Sequence, residues 1–138
     1  MRTEDGGQMA EKIESYRNVR VYQLTFKLQQ LIFDLTKTFP AEEKYSLTDQ
    51  IRRSSRSIGA NIAEAWHKRR YQAHFVSKLT DADGEQAETL HWIQTAFECG
   101  YLDAVKHDDI KAAYHEVGAM LGKMMSMPET FCKQYSNV

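Results

Sequence analysis

Apolar side chains recur at three- and four-residue steps in four stretches of the chain, which is the spacing of one face of an α-helix. The first stretch predicts a helix over about 18–38, with Asn18 as a candidate N-cap. Phe39-Pro40 should end this helix, because a residue before proline disfavours helical backbone angles. The apolar stripe contains Val19, Tyr22, Phe26, Ile32 and Phe33, and it is widened by Leu24, Leu28, Leu31 and Leu35.

The second predicted helix covers about 46–70 and carries many small side chains. Ser46 with Asp49 resembles a capping box, with Asp in place of the usual Glu. The apolar seam consists of Ile51, Ser55, Ile58, Ile62 and Trp66. The small residues are Ser54, Ser57, Gly59, Ala60, Ala63 and Ala65. Because small side chains let neighbouring backbones come close, we expect this helix to be central and tightly packed.

The third and fourth predicted helices cover about 72–98 and 108–126. Gly100 should end the third, and Asp108 or Asp109 should cap the fourth. Short connections make sequential helices antiparallel neighbours. The pattern therefore predicts an all-α, up-and-down antiparallel four-helix bundle over 18–126.

Two flexible tails are expected to flank the bundle. Residues 1–17 contain Gly6-Gly7 and many charges. Residues 127–138 follow the break at Pro128, although Phe131 and Tyr135 could dock on the bundle.

Length, charge and cysteine content bear on the number of domains and on the cellular location. A chain of 138 residues is the size of one domain, and its net charge of −1 creates no global field that would recruit nucleic acid or membrane. Cys99 and Cys132 have no metal-like spacing, the first ten residues do not resemble a signal peptide, and no apolar run reaches a membrane span. We expect a cytoplasmic protein without a membrane partner.

Positive charge is concentrated in the second predicted helix and its flanks. Residues 44–70 hold seven basic and two acidic side chains, a net charge of +5. The candidate nucleic-acid-binding residues are Arg52, Arg53, Arg56, Lys68, Arg69 and Arg70. The alternative is that these side chains pair with the acidic third helix of the same or a neighbouring subunit, and the sequence pI near 6.5 favours that alternative.

Polar and aromatic residues near the apolar seam suggest structural roles. A polar group near a core is costly unless it is hydrogen-bonded, so such groups can fix helix register and oligomer state. The residues expected to do so are Gln50, Arg53, Asn61 and Glu64, with Glu88 opposite on the third helix. Exposed Trp and Met side chains commonly mark interfaces. The candidate interface residues of this kind are Trp66, Tyr71, Trp92, Met120, Met124, Met125 and Met127.

Two Glu-x-x-His motifs, Glu64 to His67 and Glu88 to His91, give half of the ligand pattern of di-metal carboxylate bundles. The other two helices should each add an inward glutamate, but the first contains only Asp34. A di-metal bundle therefore stays a remote alternative, and we expect no metal, no cofactor and no catalytic residues.

The order of motifs along the chain carries a resemblance. The motif residues are Phe39-Pro40, Glu43, Tyr45, Leu47, Gln50, Arg52-Arg53, Ser57, Asn61-Ile62-Ala63-Glu64, Phe75, Leu79, Glu88 and Gly100-Tyr101-Leu102. Over about 16–125 the chain resembles the bacterial four-helix-bundle proteins first noticed as products of intervening sequences in 23S ribosomal RNA genes. The accessory proteins of diversity-generating retroelements look like relatives of the same bundle.

The resemblance implies a bundle that assembles into rings, usually of five subunits, and implies no catalytic activity. The expected function is that of a homo-oligomeric, pentameric helical scaffold with an RNA or protein partner.

Overall fold

The computed structural model describes residues 13–136, which form five α-helices and no strand. The helices are α1 (Arg20–Thr36), α2 (Asp49–His67), α3 (Gln72–Glu98), α4 (Ala104–Ser126) and α5 (Pro128–Ser136). The first four are long and confirm the predicted four-helix bundle.

Cross-helix contacts show that consecutive helices run antiparallel. Thr36 near the end of α1 meets Arg52 near the start of α2, whereas Tyr22 lies beside Gly59. In the same way His107 of α4 stacks on Phe97 at the end of α3. The core between them contains fully buried side chains from every long helix, among them Ile32, Ile58, Leu79, Ile93 and Tyr114.

The start of α1 differs from the prediction. Asn18 lies in a short 3-10 turn, Tyr16–Asn18, and α1 begins at Arg20 after the extended residue Val19. A capping box that was not predicted forms at this turn. Ser15 Oγ accepts from Arg17 N at 3.2 Å, and Ser15 N donates to Asn18 Oδ1 at 3.3 Å. Ser15 is therefore the N-cap of this turn and Asn18 is its capping-box partner, so Asn18 is not the N-cap of α1.

The entry to α2 is also different. A 3-10 turn at Ala41–Glu43 leads into a π-helical turn at Lys44–Thr48, so Ser46 lies inside helical backbone and forms no capping box. Leu47 in this turn is buried with Phe39 and Leu102 in a small second core. The burial of Leu47 gives the turn a packing role. At its other end α2 stops at His67, three residues before the predicted end.

The third helix has the predicted bounds, and Gly100 after it adopts a positive φ of 81°. The fourth helix begins earlier than predicted. Asp103 Oδ1 accepts from Lys106 N at 2.8 Å, so Asp103 is the N-cap and neither Asp108 nor Asp109 is.

Both predicted tails contribute to the folded part of the chain. The stretch predicted as a C-terminal tail contains α5, whose Phe131 ring packs against Trp66 and Phe75, with Cys132 buried beside it. At the other end Tyr16 packs edge-on against Tyr22. The rest of the predicted N-terminal tail, residues 1–12, and the Tyr135 side chain lie outside the described part of the structure. No helix within residues 13–136 is long and apolar enough to cross a membrane.

Candidate binding surfaces

Arg53 is bound within its own chain by the acidic face of α3. Its guanidinium lies 3.2 Å from Glu85 Oε2 and 2.6 Å from Glu88 Oε2. Trp92 Nε1 donates to the same Glu88 oxygen at 3.1 Å. These contacts, the Trp92 hydrogen bond first, hold the pKa of the Glu88 carboxyl below its usual value, and the two carboxylates raise the pKa of Arg53. Arg53 therefore joins α2 to α3.

A second polar cluster lies further along the same seam. Lys78 Nζ is 3.0 Å from a Glu64 carboxylate oxygen, 3.5 Å from Asn61 Oδ1 and 3.8 Å from Asp81. Asn61 Nδ2 donates back to Ser57 O at 2.9 Å. Asn61 is thus half-buried at the seam, where its polar atoms have partners within α2 and α3.

The predicted polar group is therefore divided. Glu88 belongs with Arg53, whereas Asn61 and Glu64 belong with Lys78. Gln50 joins neither cluster and reaches Tyr45 O in the preceding turn, at 3.5 Å.

Arg52 and Arg56 face the opposite side of α2, toward α1. Three cationic groups surround the Phe33 ring, with Lys37 Nζ 4.6 Å, Arg52 Cζ 4.8 Å and Arg56 Cζ 5.5 Å from its centroid. Arg52 Nε donates to Thr36 Oγ1 at 2.7 Å. We call Phe33, Lys37, Arg52 and Arg56 the Phe33 cluster. Arg52 and Arg56, four residues apart, therefore share one face of α2.

The basic triplet after α2 does not form one surface. Arg69 is only 8% exposed, with its guanidinium 3.6 Å from the centre of the Trp66 ring. Its Nε donates to Trp66 O at 2.7 Å and a terminal nitrogen donates to Phe131 O at 3.4 Å. Arg69 is therefore not a phosphate contact, and its assignment to a nucleic-acid surface is corrected, because α5 covers it. Lys68 and Arg70 on either side are exposed.

The predicted basic patch is also split along the helix. Arg52 and Lys68 are separated by roughly 24 Å along α2, at about 1.5 Å per residue. Arg53 is directed toward α3, away from the Phe33 cluster. The six candidate residues therefore divide into the Phe33 cluster, the α2–α3 pairing and the end of α2.

The aromatic and methionine residues predicted at an interface are mostly inside the chain. Trp66 is 5% exposed and belongs to the main core, as does Met124. Met120, Met125 and Trp92 are half-buried against that core. The exposed-interface interpretation of Trp66 is wrong because α5 and Arg69 cover the indole. Tyr71 alone among the predicted aromatic residues is strongly exposed.

The two Glu-x-x-His motifs do not converge. Glu64 pairs with Lys78 and Glu88 with Arg53, whereas the His67 and His91 rings lie beside Tyr16 and Trp92. Among the described residues, no three His, Cys, Asp or Glu side chains form a group that could hold a metal ion. The glutamates of the motifs instead bind cationic side chains across the α2–α3 seam.

An apolar groove that sequence reasoning missed lies between α1 and α4. Its volume is about 390 Å³, and Leu31, Leu35 and Ile110 form its apolar walls. Asp34, Lys106 and Asp109 supply charges of both signs at the groove. Leu31 is 49% exposed and Val105, beside Lys106, is 69% exposed. Leu31 was assigned to a core stripe, and Val105 lay outside any predicted helix.

The fold defines the class of protein, an all-α antiparallel bundle. In this bundle polar side chains pair between helices, and the exposed surface includes an apolar groove. Within that class the chain belongs to the family described as 23S rRNA-intervening sequence protein, whose model matches residues 17–123. The resemblance predicted from the motifs is confirmed.

A solved structure agrees with this assignment. It is the crystal structure of a protein with unknown function from the S23 ribosomal protein family of Bacteroides thetaiotaomicron, 29% identical to this chain. The TM-score is 0.70, with 78% of this chain and 96% of that chain covered. No curated protein gives a significant match.

Proposed function

We propose that the protein is a non-catalytic, homo-oligomeric scaffold that binds a macromolecular partner, with the five-membered ring implied by the family resemblance as its assembly. The α1–α4 groove carries this proposal. Leu31 and Val105 leave large apolar area in water beside it, which association between copies would bury.

The charges at the groove favour a second copy of the same chain as the occupant. Asp34 and Asp109 lie beside Lys106, so the rim contains both signs. Contacts in a five-membered ring are head-to-tail, so the groove of one copy would meet a different face of the next, and a rim with both signs can pair with basic and acidic groups there. The side chains first considered for the interface, Arg53, Glu64 and Glu88, already have partners within the chain.

Light scattering coupled to size exclusion tests the proposal. The wild-type chain should elute at a multiple of its 16.0 kDa mass. Leu31→Asp and Val105→Asp should give the monomer with unchanged helical circular dichroism, because a buried unpaired carboxylate opposes association. Tyr71→Asp, at a similarly exposed side chain in the α2–α3 connection, tests the interface residue predicted from the sequence and should leave the oligomer intact if the groove is the contact. A monomeric wild-type chain, or an oligomer that survives both groove variants, would contradict the proposal.

Nucleic-acid binding is the second candidate function, and the Phe33 cluster favours it. Three positive charges surround the Phe33 ring, those of Lys37, Arg52 and Arg56. Lys37 also has an acidic partner, because its Nζ lies 3.4 Å from Asp34 Oδ1. Clustered cations of this kind suit phosphate oxygens. This function is compatible with the scaffold, because the cluster lies between α1 and α2 and the groove lies between α1 and α4.

A further inference from the structure

Aromatic rings continue from the Phe33 cluster along the outer surface between α1 and α2. Tyr22, Phe26, Phe33 and Lys37 are separated by four, seven and four residues, which places them on one face of α1. Tyr22 and Phe26 are stacked with ring centroids 6.2 Å apart, and Tyr16 meets Tyr22 edge-on at 4.9 Å. Phe26 is 47% exposed. The rings of Phe26, Tyr22 and Tyr16 therefore form a contiguous aromatic group on the same side as Phe33, which lies two helical turns further along α1.

We call this surface the α1–α2 strip. It consists of Tyr22, Phe26, Phe33, Lys37, Arg52 and Arg56.

The strip is positively charged at one end and aromatic along its length. Arg56 and Lys37 are exposed, and Arg52 is held in place by Thr36. The carboxylate at this end, Asp34, pairs with Lys37 through two strongly exposed side chains. Such surface pairs are weak, so a phosphate can compete for Lys37.

We infer that the α1–α2 strip binds single-stranded nucleic acid, with a base stacked on the exposed Phe26 ring, which the half-buried Tyr22 supports, and phosphates held by Lys37, Arg52 and Arg56. Exposed rings beside a cationic groove form the common platform for single strands, because every base has a π-face. A duplex keeps its bases stacked inside and cannot use the rings. The inference rests on the second candidate function and assigns to it a surface and a class of strand.

The dimensions of the strip suit a short stretch of strand. Tyr22 and Lys37 are separated by roughly 22 Å along α1, at about 1.5 Å per residue. That length corresponds to a site of about four nucleotides, the lower end of the known range for such platforms.

Fluorescence anisotropy with labelled oligonucleotides tests the inference. The probes are oligo(dT), oligo(U) and a mixed-sequence duplex, each of about 12 nucleotides or base pairs, titrated between about 50 and 200 mM salt. The wild-type chain should bind both single strands more tightly than the duplex. Phe26→Ala should weaken single-strand binding about fivefold to hundredfold without changing its salt dependence, because stacking releases no counterions.

A charge variant should give a different signature. In Lys37→Gln/Arg56→Gln the slope of log affinity against log salt should fall by about 1.4, since each single-strand phosphate contact contributes about 0.7. The matched controls are Lys111→Gln/Lys123→Gln on α4 and Tyr71→Ala. The lysine variant removes the same number of charges and the tyrosine variant removes a similarly exposed ring, both away from the strip, so both should leave affinity and slope unchanged.

The possible outcomes distinguish failure of the α1–α2 strip from failure of nucleic-acid binding altogether. Equal affinity for duplex and single strands, or strip variants that behave like their controls, would overturn the inference. If binding then depended on Lys68 and Arg70 in a Lys68→Gln/Arg70→Gln variant, nucleic-acid binding would stand and the strip would be wrong. If the wild-type chain bound none of the probes, both would fail, while the oligomer measurement would be unaffected.

Discussion

Two long helix contacts in this bundle, the α2–α3 seam and the α1–α4 seam, differ in how they treat polar side chains. At the α2–α3 seam small residues allow close approach, and Thr89 Oγ1 donates to Ser54 Oγ at 2.9 Å inside the core. On its rim Arg53 and Lys78 bind the facing carboxylates. At the α1–α4 seam the larger Leu31, Leu35 and Ile110 border an open groove.

The difference shows where unused binding capacity remains. A seam that satisfies its own hydrogen-bonding and ionic groups offers little to a partner, because breaking those contacts has a cost. A seam that leaves apolar area exposed gains free energy when another surface covers it. We therefore propose the α1–α4 groove as the site of subunit contact and regard the α2–α3 seam as internal structure.

The largest expected effect on stability comes from comparing a buried leucine of α3 with a leucine at the α1–α4 groove. Leu79→Ala removes a fully buried side chain of α3 and should lower the free energy of unfolding by about 2–5 kcal/mol. Leu31→Ala removes a half-exposed side chain at the groove and should cost within about 0.5 kcal/mol in dilute solution. Urea unfolding at several protein concentrations measures both. An equally large loss for Leu31→Ala at the lowest concentration would mean that the groove is closed within the monomer.

The next effect concerns two adjacent arginines at the end of α2. Arg69→Ala removes the stacking on Trp66 and the hydrogen bonds to Trp66 O and Phe131 O, and should cost about 2 kcal/mol. Arg70→Ala changes an exposed side chain and should cost within about 0.5 kcal/mol. Thermal unfolding measures the difference. Equal stability of the two variants would show that α5 does not depend on Arg69.

The sequence predicted the helices better than their ends, for a local reason. The bounds of α3 followed from its apolar stripe and Gly100, because both signals lie within the helix or next to it. The start of α4 was misplaced because three aspartates in seven residues, Asp103, Asp108 and Asp109, all suit an N-cap. Only the hydrogen bond from Lys106 N to Asp103 distinguishes them.

The partners of polar side chains were harder to predict, because they depend on helix rotation and on distant segments. Arg52 and Arg53 are neighbours in sequence, yet one faces Phe33 of α1 and the other Glu88 of α3. The burial of Arg69 requires α5, which lies more than 50 residues further along the chain and was predicted as a flexible tail. The exposed Phe26 was likewise assigned to the core stripe of α1.

The smallest effect lies on the rim of the α2–α3 seam itself. A double-mutant cycle with Arg53→Met and Glu88→Gln should give a coupling of about 0.5–1 kcal/mol at neutral pH, because the Arg53 side chain is half-exposed and solvent screens the pair. Arg70→Met with Glu88→Gln is the control cycle and should give no coupling. A coupling of several kcal/mol would mean that the Arg53–Glu88 pair is more buried from solvent than in this structure.

The same pair should respond to pH with a defined sign. The pKa of Glu88 is lowered in the folded chain, first by the Trp92 hydrogen bond and then by Arg53. Its stabilising effect is therefore complete above the ordinary carboxyl value of 4.5 and is lost as the pH falls through the lowered pKa. Below pH 4.5 the wild-type chain should lose stability more steeply than Glu88→Gln. Parallel pH profiles of the two proteins would mean that Glu88 titrates normally and that the seam's rim contributes no net ionic stabilisation.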